Sequence, residues 1–185
     1  MTLIFGIEST CDETSCSVVR DGKEILSNVI FSQADIHSLY GGVVPEIACR
    51  RHLDVICNIA SQALDEAGCS WQDIDAIAVA KGPGLVGALL VGLNYAKGIA
   101  LALQKPLIGI NHVEAHLYAA MMSAEVKVPL PALGLIISGG HTSLLQIDSL
   151  GSYTSIGRTV DDAVGEAFDK VGCLLGLSYP GGPKV

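Results

Sequence analysis

The sequence predicts an α/β protein built from a duplicated unit, with the first copy complete and the second partial. Three observations carry that prediction. Over 185 residues, short apolar runs bounded by turn residues alternate with longer stretches of helical pattern. The order strand, polar turn, strand, strand, helix occurs twice, once from residue 2 and again after Pro129-Leu130-Pro131. Half of the residues are hydrophobic and only 16% are charged, enough for a substantial core.

In the first copy, residues 2–9 alternate loosely and read as a strand. Ser9-Thr10-Cys11-Asp12-Glu13-Thr14-Ser15 reads as a polar turn and Cys16–Arg20 as the returning strand. Asp21-Gly22 is a hairpin signal leading to a third strand over Glu24–Ser32. A tip rich in hydroxyls and carrying an acid makes Ser9, Thr10, Asp12 and Thr14 candidates for holding a nucleotide phosphate and its Mg²⁺. The same residues also suit an ordinary polar turn. Tyr40–Glu46 is a glycine-punctuated loop, and Pro45 opens a helix that runs to Ala67 with Gly68 as its cap.

Ile74–Ala80 reads as a buried strand. Lys81-Gly82-Pro83-Gly84-Leu85-Val86-Gly87 follows it and imitates the dinucleotide-binding G-x-G-x-x-G pattern. The acid that would hold a ribose is missing, because no Asp or Glu occurs between Asp75 and Glu114. Glycines that let the next helix pack tightly on the sheet explain the pattern better. The longest apolar stretch, Leu85–Leu103, is interrupted by Asn94 and Lys97 and predicts a buried helix rather than a membrane span.

Leu107–Ile110 is the next strand, and Asn111-His112-Val113-Glu114-Ala115-His116 marks its turn into a helix running through Met122. Asn111 suits the N-cap. His112 and His116 share one face of the first turn and can grip one transition-metal ion. Chance also yields such pairs, and two ligands do not complete a site. Glu114 suits a capping box and points away from the histidine face. The order differs from His-Glu-x-x-His, which disfavours a metalloprotease.

The second copy opens with a strand at Leu133–Ile137, a tight turn at Ser138-Gly139-Gly140-His141-Thr142, and strands at Ser143–Ile147 and Tyr153–Gly157. Thr159 is placed to cap a helix through Lys170 to Leu175. Its acids Asp162, Glu166 and Asp169 then share a face, as a solvated surface or as a site wall. Tyr179–Val185 reads as a loop. The first lobe is assigned residues 1–128 and the start of the second residues 129–185. Short by two strands and two helices, the second copy predicts that this chain is a fragment.

Composition narrows the function classes. The start lacks the basic region of a signal peptide. Six cysteines without a Cys-x-x-Cys pair predict reduced, partly core thiols and a cytoplasmic location. A net charge of −8 argues against nonspecific nucleic-acid binding, with Arg50-Arg51-His52 the one dense basic patch.

The duplicated unit resembles the actin, Hsp70 and sugar-kinase superfamily, whose two lobes clasp a nucleotide. Within it, Gly6–Ser15, Tyr40–Glu46, Lys81–Gly87, His112–His116, Ser138–Thr142, Asp161–Lys170 and Tyr179–Pro183 resemble the tRNA adenosine threonylcarbamoyltransferase family, bacterial TsaD and its archaeal and eukaryotic Kae relatives. The resemblance implies transfer of a threonylcarbamoyl group from threonylcarbamoyl-adenylate to the adenosine beside the anticodon of tRNAs reading codons that begin with A. It implies one iron or zinc ion on His112 and His116, with an aspartate of the C-terminal lobe completing the site, and a Mg-nucleotide is a further candidate. Ile136, Ile137, Ser138, Gly139 and Gly140 would line the acyl-adenylate, and Asp169 and Gly182 would touch its nucleoside part. No covalent nucleophile is needed. A paralogous subunit and an ATPase are the implied partners in a bacterial setting, and no membrane is.

Two departures stand out. Ala115 replaces the family's usual glycine at a position that is not a ligand, and family members are about twice this long. The chain alone is therefore expected to bind metal and substrate weakly and transfer little. The alternatives are a non-catalytic paralogous scaffold of the same complex and an ATP-dependent small-molecule kinase.

Overall fold

The computed structural model describes residues 1–124 and 128–185. Contacts divide the chain into two compact units, Met1–His112 and Val113–Val185.

The first unit is built on a five-stranded mixed sheet. Strands β1 (Leu3–Glu8), β2 (Glu13–Arg20) and β3 (Glu24–Ser32) form an antiparallel meander. β4 (Ala76–Gly82) adds parallel to β1 and β5 (Leu107–Asn111) parallel to β4, in the order β3-β2-β1-β4-β5. Alternation sets the core: Leu3, Phe5 and Ile7 of β1 point inward with Cys16 and Val18 of β2, and Ile77 and Val79 of β4 join them. The Phe5 and Trp71 rings meet at a tilt, with centroids 4.7 Å apart.

Three helices follow in this unit. The short α1 (Ala34–Ser38) is an element the periodicity did not predict. Helix α2 (Pro45–Ala67) has proline in its first turn and Gly68 in the left-handed conformation at its end, as predicted. It turns Ala48, His52, Ile56, Ile59, Ala60, Ala63 and Leu64 inward, a helical stripe. Helix α3 (Val86–Leu103) buries Ala88, Val91, Gly92, Ala96 and Ala100. It is half-buried rather than buried, for Leu90 and Leu101 are exposed. Among the described residues it is the one helix long and apolar enough to cross a membrane.

The second unit pairs helix α4 (His112–Ser123), from Val113 onward, with an antiparallel meander of β6 (Ala132–Ile137), β7 (Thr142–Ser149) and β8 (Ser152–Arg158). Leu117 packs on β6 at Gly134, where a Cβ would lie 2.5 Å from a Leu117 methyl. That close seating joins α4 to the second set of strands. Leu117, Ile136, Leu145 and Ile147 form the small core.

Helix α5 (Val164–Leu174) begins later than the predicted cap at Thr159. The Thr159 hydroxyl instead donates to the Asp162 carbonyl, and the Thr142 hydroxyl on β7 accepts the N–H of Val164. The cap thus comes from a distant strand. All six cysteines are free thiols, but only Cys16 is fully buried.

Candidate functional site

In the first unit, the parallel strands β1, β4 and β5 end side by side, which carries Glu8, at the end of β1, to His112. The Glu8 carboxylate accepts the Thr10 backbone N–H at 2.6 Å and stands 3.0 Å from His112 Nδ1. The Thr10 hydroxyl lies 3.3 Å from the same nitrogen. Burial would raise the Glu8 pKa, but the hydrogen bonds from His112 and Thr10 outweigh it and hold the carboxyl below its ordinary range.

The predicted polar turn is tighter than expected, because Glu13–Ser15 already belong to β2. Thr14 sits opposite Phe31 in the ladder. Its buried hydroxyl lies 2.7 Å from His52 Nδ1, while His52 Nε2 donates to the Cys11 carbonyl at 3.0 Å. That carbonyl can only accept, so Nε2 carries the proton and the Thr14 hydroxyl donates to Nδ1. Ser9 is also buried: its hydroxyl donates to the Ala88 carbonyl at 2.9 Å and accepts the Gly92 N–H at 3.2 Å. The hydroxyls of Ser9 and Thr14 thus tie the turn to α3 and α2. Asp12 stands at the turn with two further acids, and burial with the charges of Asp12 and Glu8 pushes Glu13 up. Burial, reinforced by Asp12, Glu13 and Glu8, pushes the Cys11 thiol up to about 12. At neutral pH the thiol form is favoured.

The predicted basic patch dissolves in the fold. Arg50 pairs with Glu46, Arg51 pairs with Asp54 and lies over the Phe31 ring, and His52 is buried.

In the second unit, α4 and β6 enclose an open groove of about 410 Å³. His116 lines it together with Ile136, Ile137 and Ser138, so four predicted site residues meet there. Beyond the groove, the Ser138–His141 turn is closed by bonds between its ends: the Ser138 N–H donates to the His141 carbonyl and the His141 N–H to the Ser138 hydroxyl. Gly139 and Gly140 form its exposed tip. Gly165, at the start of α5, abuts this turn and donates its N–H to the Ser138 carbonyl.

Asp169 and Gly182 lie elsewhere in the unit. Asp169 accepts the Gly181 N–H at 2.7 Å, which brings Asp169 and the glycine loop together. Lys170 pairs with both Asp162 and Glu166, so those two acids form a solvated surface whose charge one lysine offsets in part. Glu114 accepts a hydrogen bond from the Tyr153 hydroxyl at 3.3 Å.

The family model for TsaD, tRNA N6-adenosine threonylcarbamoyltransferase, matches residues 24–185. The chain belongs to that family. It is similar to the tRNA N6-adenosine threonylcarbamoyltransferase of Protochlamydia amoebophila, with 63% identity over 99% of this chain and 53% of the relative. The protein of the same name from Syntrophotalea carbinolica is 56% identical over the same shares. The chain therefore spans about half the length of the curated relatives it matches. Among solved structures, YeaZ from Pseudomonas aeruginosa has a TM-score of 0.54 at 19% identity, covering 85% of this chain and 65% of its own. Component A of (R)-2-hydroxyglutaryl-CoA dehydratase from Acidaminococcus fermentans has a TM-score of 0.51 at 17% identity, covering 95% and 54%. These two likenesses are of fold and agree with the predicted α/β class.

His112 and His116 are the first and fifth residues of α4, one turn apart. Among the described residues no group of three or more His, Cys, Asp or Glu is arranged to hold a metal. Two imidazoles thus stand one helical turn apart, one of them 3.0 Å from a carboxylate. Glu8 is the site residue that sequence reasoning missed. It stands within the matched motif Gly6–Ser15, but no spacing rule connects it to a histidine 104 positions away.

Proposed function

We propose that this chain is the N-terminal part of a tRNA adenosine threonylcarbamoyltransferase, with residues 1–128 as its first lobe and 129–185 as the start of its second. The substrates are threonylcarbamoyl-adenylate and tRNAs that read codons beginning with A. The match to the family over residues 24–185 carries this reading. The placement of His116 with Ile136, Ile137 and Ser138 in one groove supports it.

His112 and His116 would hold one iron or zinc ion, with further donors supplied by the part of the relatives that this chain does not span. Bound there, the metal would supply Lewis-acid polarisation of the carbamoyl carbonyl. Ile136 and Ile137 exclude water from the acyl group, and the Gly139 and Gly140 amides at the tip of the turn meet its developing negative charge. Asp169 and Gly182 contact the nucleoside part. The adenosine amine forms the new C–N bond as the bond from the carbonyl carbon to the phosphate oxygen breaks, the amine gives up one proton to water, and AMP leaves. Asp12 would face a Mg-nucleotide, while the buried hydroxyls of Ser9 and Thr14 hold its turn in place. A paralogous subunit and an ATPase are the proposed partners, and the cytoplasm is the proposed location.

The test is mass spectrometry of digested tRNA after incubation of the full-length protein and its partners with threonylcarbamoyl-adenylate and ATP. Threonylcarbamoyladenosine should form, and the double variant His112→Ala with His116→Ala should abolish it. Full activity in the double variant would refute the metal-assisted reading.

A further inference from the structure

We propose that Glu8 is a positioning residue for His112: it sets the imidazole so that Nε2, not Nδ1, faces a metal ion. The inference rests on the reading of His112 as a ligand and extends the site to a residue on another strand.

The geometry is specific. Glu8 closes β1 and His112 opens α4 directly after β5, and β4 is the strand between them. One carboxylate oxygen is 3.0 Å from His112 Nδ1, and the other accepts the Thr10 N–H at 2.6 Å. Thr10 therefore pins the carboxylate, which in turn pins the ring. Both side chains are well shielded, 17% exposed for His112 and 30% for Glu8, so the bond is not an exposed pair that solvent screens away.

The chemistry gives the direction. An ionised carboxylate only accepts, so Nδ1 must donate to it. The proton then resides on Nδ1 and the coordinating lone pair on Nε2. A carboxylate on the far nitrogen of a ligating histidine also raises the basicity of the ring and fixes its rotation. A hydrophobic residue at position 8 would complete β1 equally well but would leave either tautomer open.

The experiment measures Zn²⁺ and Co²⁺ affinity of the full-length protein by competition with a chromophoric chelator, alongside the Co²⁺ absorption spectrum. Glu8→Ala should weaken binding by about 10- to 100-fold and alter the Co²⁺ bands. Glu8→Gln, whose amide oxygen still accepts from Nδ1, should lose less. Circular dichroism establishes that each variant is folded, and the near-isosteric glutamine keeps the test alive if the alanine variant unfolds. A purely structural Glu8 would lower the melting temperature yet leave affinity per folded molecule unchanged, and that result overturns the proposal. His112→Ala separates the two readings. If it leaves affinity intact, His112 is no ligand and the metal reading itself falls. If it abolishes binding while Glu8→Ala does not weaken it, only the role of Glu8 falls.

Discussion

Gly92→Ala probes the seam between α3 and β1. A Cβ at residue 92 would lie 2.3 Å from the Ser9 hydroxyl, 3.3 Å from Ser9 Cβ and 3.5 Å from an Ile7 methyl. The Ser9 side chain has no open space to turn into, for the residue is 2% exposed. If the hydroxyl is expelled, two hydrogen bonds go, at about 0.5–1.5 kcal/mol each. If the helix lifts instead, overpacking costs about 1–3 kcal/mol. Alanine returns about 1 kcal/mol of helix propensity. The net loss is about 1 kcal/mol, a fall in Tm of about 2–4 °C for a chain of this size. Gly98 on the same helix is the control, since nothing lies within 4 Å of its Cβ position. Gly98→Ala should gain about 1 kcal/mol. Thermal unfolding followed by far-ultraviolet circular dichroism reads both. Adding Ser9→Gly to Gly92→Ala should recover about 1 kcal/mol or more as a coupling energy. Gly92→Ala as stable as Gly98→Ala would refute the steric reasoning.

Two further outcomes are expected. Burial holds His52 below the ordinary imidazole range, against the Cys11 carbonyl, Asp12 and Glu8, which favour its charge. The unfolded chain therefore takes up a proton near pH 6.5 that the folded chain refuses, so this contribution is intact above that pH and lost as pH falls below it. Tm should drop between neutral and mildly acidic pH more steeply for the native sequence than for His52→Gln, and parallel profiles would contradict this. Gly165→Ala would set a Cβ 2.5 Å from the Ser138 carbonyl and 2.7 Å from the Gly139 nitrogen, both backbone. With no rotamer to yield, it should destabilise by about 3 kcal/mol and displace the turn. Calorimetry should show weaker acyl-adenylate binding, and native affinity would count against a role for the turn.

Local signals were legible from the sequence. Pro45 and Gly68 bracket α2, Asp21-Gly22 turns β2 into β3, and the meander recurs from Ala132. The predictions that shifted depended on distant partners. Thr159 has the chemistry of a cap, but the Val164 N–H is met by Thr142, 22 residues earlier. Arg50-Arg51-His52 looks basic in one dimension, yet helical spacing sends the three side chains to Glu46, to Asp54 and Phe31, and into the core. Within the candidate site, the histidine pair was visible because four residues make one turn. Glu8 was not, because strand order alone delivers it to His112.

The glycines of Lys81–Gly92 show why one pattern admits two readings and how the structure decides between them. A dinucleotide fingerprint and a tight helix–sheet junction both require a backbone without Cβ, so both select glycine at the same strand-to-helix turn. What approaches that backbone differs. A Cβ at Gly84 would lie 2.7 Å from the Thr10 carbonyl oxygen, and the Leu85 N–H donates to that same oxygen at 2.8 Å. Gly87 faces Cys49 of α2 at 3.2 Å, and Gly92 faces Ser9. The space that a pyrophosphate would need at the head of α3 is thus filled by the chain's own turn. The same packing holds the head of α3 against Thr10, whose N–H in turn holds the Glu8 carboxylate beside His112, so the glycines of this junction also brace the turn after β1.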